Sequence, residues 1–161
     1  METSTYTAAR VAEILDEPFD EVTRRIESLA GRADLPRVRE LLAPGGQAEQ
    51  ARRAIEAMAG PSGLMIFEQL DHGRLLALAG QDRRAMLYLI GNPLIAVEMT
   101  RHNVAADLYA PWRFLVYEGG DGKTRLTLVH ENFPSTEARD NAGGGWPGFI
   151  DRLASLVVAR R

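Results

Sequence analysis

The chain has 161 residues, no cysteine, a formal net charge of −3, and 45% hydrophobic against 25% charged residues. Without cysteine there is no disulfide, no thiolate nucleophile and no cysteine-bound metal, and the acidic balance gives no bulk attraction to nucleic acid or to an anionic membrane. The N-terminus shows no basic region followed by an apolar run, and no window approaches the run of about 18 apolar residues that spans a bilayer. A single soluble cytoplasmic domain over 1–161, able to bury about 70% of its unfolded surface, is expected.

In chain order, 6–15 alternates as a first strand, with Val11, Glu13 and Leu15 on one face. Asp16-Glu17-Pro18 then opens a helix whose stripe is Phe19, Val22, Ile26 and Leu29, with Asp20 and Glu21 against the dipole and Gly31 as the stop. Two helical patches follow at 35–43 and 47–59, separated by Pro44-Gly45-Gly46, with their charges on outer, solvated faces. Gly60-Pro61-Ser62-Gly63 breaks the helical region. A strand is expected at 64–70, a turn at Asp71-His72-Gly73, a short returning strand at 75–79 and another strand at 86–90.

Asn92 is a good N-cap and Pro93 stands at the first helical position, so a helix is expected from there, with Arg101 and His102 in its last turn. Two strands, 112–117 and 124–130, are joined by Gly119-Gly120-Asp121-Gly122, whose glycines suit a tight hairpin turn. A polar, glycine-rich loop over 131–145 and an amphipathic closing helix at 146–160, with Phe149, Ile150, Leu153, Leu156 and Val157 inward, complete the chain. The sum is an α+β fold: a mostly antiparallel sheet of five to six strands with helices packed on one face.

The order of these signals resembles the family catalogued as domain of unknown function 302. A strand ending in hydrophobic-Asp71-His72 is followed by a strand running into Gly91-Asn92-Pro93, a helix, Ala110-Pro111-Trp112-Arg113 entering a strand, and an Asp121-Gly122 turn. The resemblance covers about 11–129 and implies a small α+β domain, often dimeric, with no established biochemical activity. Against the family pattern, 35–59 stands as a helical insertion, the segment after His72 is less helical than usual, and an aromatic-Pro segment is represented by His130-Glu131-Asn132-Phe133-Pro134. The tail Gly144-Gly145-Trp146-Pro147-Gly148-Phe149 resembles, over a short stretch, the closing helix of lipid-transfer-like helix-grip proteins.

Of the three histidines, His72, His102 and His130, none stands at i, i+4 from another ligand, so no metal site is expected. His72 beside Asp71 has the residue types of an oriented acid/base, and His102 is the alternative, though a turn whose Asp caps its own backbone is the plainer reading of the first. Arg113 opens an otherwise apolar strand and needs an anion, from Glu98, Asp107 or a ligand carboxylate, if its face is covered. Tyr88, Tyr109 and Tyr117 offer phenols to a cavity or bury their rings. No phosphate loop or nucleophile elbow is present, and the sequence leaves any cofactor unknown.

The leading expectation is a domain that binds a small, partly apolar molecule between the sheet and the Asn92-capped helix. His72, Met99, Tyr109, Arg113 and Tyr117 are the candidate contacts. The alternatives are a cofactor-independent isomerase, cyclase or hydrolase using His72 or His102, and a structural module that forms a homodimer.

Overall fold

A computed structural model describes residues 8–131. The expected closing loop and helix lie outside the described residues. The described chain forms a six-stranded sheet in the order β1-β6-β5-β4-β3-β2, antiparallel at every pairing except β2 with β3. The strands are β1 Ala8–Leu15, β2 Gly31–Arg32, β3 Met65–Asp71, β4 Ala85–Gly91, β5 Trp112–Glu118 and β6 Thr124–Glu131. The helices are α1 Phe19–Leu29, α2 Leu35–Leu41, α3 Ala48–Met58, α4 His72–Ala77 and α5 Pro93–Thr100, with a 3-10 helix at Val104–Tyr109.

Strand alternation sorts the sheet into two unlike faces. Ile66, Tyr88, Ile90, Phe114, Val116 and Leu126 point to one side, where Phe19, Val22 and Ile26 of α1 complete the core, joined by Met99 and Ala106. Arg84 locks the start of α1 to this layer. Its guanidinium lies 4.5 Å over the Phe19 ring, bonds Asp20 and pairs with Glu118 at 3.5 Å. The opposite face carries Leu70, Leu87, Leu89, Leu115 and Tyr117, none of them fully buried. The short α4 folds against that second face, so it departs from the expectation of helices on one side.

Two other expectations change. The run 75–79 does not return as a strand. The Asp71 carboxylate accepts from the Arg74 N–H at 3.0 Å and pairs with the Arg74 guanidinium, which caps a helix and commits the leucines after it to helical spacing. The loop expected after the Asn92 helix contains the 3-10 helix, capped by Asn103.

Gly31 does more than stop α1; it begins β2 and crosses Gly60 backbone on backbone. A Cβ at Gly60 would lie 2.5 Å from the Leu29 oxygen and from the Ala30 carbonyl carbon, and one at Gly31 would fall on the Met58 carbonyl oxygen. The Leu64 carbonyl accepts from both Gly31 N–H (2.8 Å) and Gly60 N–H (2.9 Å). Gly60→Ala is expected to cost more than about 3 kcal/mol or to prevent folding, because backbone has no cheap way to move. Gly63, with φ at +76° but open space around it, should lose only about 1 kcal/mol as Gly63→Ala. Urea unfolding of the two variants checks the contrast, and similar losses would contradict it.

Candidate functional site

Sequence and cap together place the entrance of α5. The Asn92 side-chain oxygen accepts from the Leu94 N–H at 2.9 Å, and its amide donates to the Gly63 carbonyl at 2.8 Å. The expected N-cap is therefore also a cross-link to the β3 approach. Below it, the end of β4, the first two turns of α5, the 3-10 helix and the start of β5 enclose a cavity of about 190 Å3. Its walls are mostly Phe67, Ile95, Met99, Pro111 and Trp112, with Asp107 the one ionisable side chain among the lining residues. Phe67 sits at the register shift between Ile66 and Glu68, where one extra residue interrupts the ladder. The peptide before Pro111 is cis.

A wider groove of about 540 Å3 lies elsewhere, between α4 and the second sheet face. His72, Leu76, Leu87, Leu115 and Tyr117 line it, beside Arg84 and Glu118.

The candidates read from sequence are thus divided. Met99 lines the cavity, and His72 and Tyr117 line the groove. His102 is exposed and accepts from the neighbouring Arg101 Nε at 3.1 Å, and Tyr109 is half-buried in the 3-10 helix. Both lie outside the two hollows. Arg113 shares its face with Leu115 and Tyr117 as alternation requires, but it is exposed, so the desolvation that would demand an anion does not arise. Glu98 pairs with Arg101 at 3.0 Å instead. Asp71 is engaged by Arg74 and leaves His72 without the orienting carboxylate that adjacency offered. Among the described residues no group of three His, Asp or Glu side chains is placed to hold a metal, and no helix is long and apolar enough to cross a membrane.

The family model for domain of unknown function DUF302 matches residues 43–134, more than half of the sequence. The chain belongs to this family. The match begins ahead of α3, so of the two helices read as an insertion, α3 lies inside the family segment and α2 before it. The crystal structure of an uncharacterized conserved DUF302 protein from Bacillus stearothermophilus is similar over 92% of this chain and 94% of that chain, with a TM-score of 0.56 and 14% identity. That likeness is one of fold alone. A search of curated proteins finds no match. Both hollows belong to elements inside the DUF302 segment.

Tyr88 resolves as the buried ring. Fully enclosed, it donates its hydroxyl to Glu27 Oε1 at 3.0 Å, an oxygen that also accepts from Gln69 at 2.6 Å. Burial first, then the Glu27 charge and hydrogen bond, push the phenol well above its ordinary value of 10.0. In the unfolded chain Tyr88 ionises near pH 10, whereas the folded protein holds the proton further. Its stabilising contribution is therefore complete below about pH 10 and declines as pH rises beyond it. Tyr88→Phe should lose about 1 kcal/mol at neutral pH and show a flatter decline above pH 10. Denaturant midpoints at pH 8 and pH 10.5 check it; parallel declines in the two proteins would contradict the assignment.

Proposed function

We infer that the domain binds a small, largely apolar molecule in the cavity between the end of β4, α5 and the 3-10 helix. The observation that supports this is a hollow of about 190 Å3 with aromatic and aliphatic walls, opening beside a capped helix start. Its size compares with the roughly 150 Å3 apolar cavity that accepts one benzene ring. Asn92 caps the start of α5 and ties it to the Gly63 carbonyl, which lowers the ordering needed on binding.

A six-membered-ring probe such as cyclohexanol should shift the Trp112 indole N–H resonance in a saturable titration. Ala96 lines the hollow from α5, and Ala96→Phe should fill it and abolish that shift. Gly91→Ala is the gentler variant: its Cβ would sit 3.5 Å from Pro111 and 3.8 Å from Phe67, ordinary contacts, so it should fold normally and bind more weakly. Unchanged binding in both variants would count against the cavity as the site.

A second reading has its own observation. Ile95 (41%), Val97 (50%), Val104 (79%) and Leu108 (77%) expose large apolar side chains on α5 and the 3-10 helix, and such surface favours a homodimer contact. Light scattering after gel filtration should give a dimer that Val104→Asp with Leu108→Asp converts to monomer; a monomeric parent protein would end this reading.

A further inference from the structure

We propose that the molecule held in this cavity is a small organic cation, a protonated amine on a ring or short branched chain, with Asp107 as its counter-ion. The proposal rests on the binding reading above and adds the charge of the ligand.

The cavity's polar inventory is short. Two side chains with hydrogen-bonding oxygens line it, Asn92 and Asp107. Asn92 is spent, its oxygen on the Leu94 N–H and its amide on the Gly63 carbonyl. The Asp107 carboxylate has neither a hydrogen bond nor an ion pair among the described residues, and no arginine, lysine or histidine lines the hollow with it. A carboxylate accepts and does not donate, so the group it complements is a donor, and a positively charged donor gives the shorter and stronger bond.

The walls agree with that charge. Trp112 and Phe67 bring aromatic rings to the same hollow, and the negative faces of such rings attract ammonium groups. Burial sets the ligand's direction. Met99 and Gly91 are buried, and Asp107 is exposed, so the apolar part of the ligand goes inward and its charged end stays at the wet mouth. An anion of the same shape meets an unpaired carboxylate there and no arginine, lysine or histidine among the lining residues to offset it, which makes discrimination by sign stronger than discrimination by shape.

The test compares three probes of one shape: cyclohexylammonium, cyclohexanol and cyclohexanecarboxylate. Each is titrated at pH 7 and low salt into the full chain, with the Trp112 indole resonance as the readout. The expected order is ammonium, then alcohol, then carboxylate, with the ammonium preferred over the alcohol by about 3- to 10-fold. That preference should shrink in 0.5 M salt. Asp107→Asn should erase it, bringing the ammonium and alcohol affinities to within about twofold of each other, with the melting temperature unchanged. Equal binding of ammonium and alcohol, or tightest binding of the carboxylate, overturns the cation and leaves the apolar cavity standing. An ammonium preference that survives Asp107→Asn overturns the assignment to Asp107. No saturable shift with any of the three overturns the cavity reading and the cation together.

Discussion

The contact of Gly31 with Gly60 is the constraint from which the arrangement of the site follows. Two backbones touch there, and four hydrogen bonds seal the crossing: Gly31 and Gly60 donate to the Leu64 carbonyl, and the Ser62 N–H and hydroxyl donate to the Leu29 carbonyl. The crossing sets β2 parallel to β3 and brings the end of α3 beside the end of α1. It also fixes the turn that presents the Gly63 carbonyl to Asn92. Asn92 in turn orients α5, and α5 supplies Ile95, Ala96 and Met99 to the cavity. A clash at Gly60 would therefore be felt about thirty residues later, through a chain of direct contacts.

Elements whose signal is local were legible in the sequence. Asn92-Pro93 states a cap and a helix start within two residues, and Gly119-Gly120-Asp121-Gly122 states a hairpin that closes with Gly119 N–H on Lys123 carbonyl at 2.8 Å. The stripe Phe19, Val22, Ile26 was visible because a helix must repeat its burial every three to four residues. β2 was not, since Gly31-Arg32 is too short for any period and its parallel pairing depends on a crossing thirty residues away. At α4 two local signals competed. The apolar run after Gly73 reads as strand by composition, while the Asp71 cap is decisive only once its oxygen is known to reach the Arg74 N–H.

The candidate site was legible in part, and for the same reason. Met99 could be placed by helical spacing, but Phe67, Pro111 and Trp112 come from three different stretches that meet only in the folded chain. Alternation put Arg113 on the correct face; it cannot say whether a face is covered, and this one is largely open. Asp107 entered the sequence reading only as a possible partner for Arg113. Its place at the cavity depends on the 3-10 helix, which no periodicity announced. Membership of DUF302 carries the fold across and leaves the chemistry to be read from these side chains.

The sheet's two rims are unequal, and this limits how it can grow. Among the described residues β1 presents eight residues at one rim, paired on one side with β6, whereas the other rim ends in the two-residue β2. Among the described residues a strand offered from outside finds its longest template along β1, and a shorter one where residues 67–71 of β3 run on past β2. If that strand is β1 of another copy, the pairing is self-complementary and leaves the blunt β2 rims facing outward.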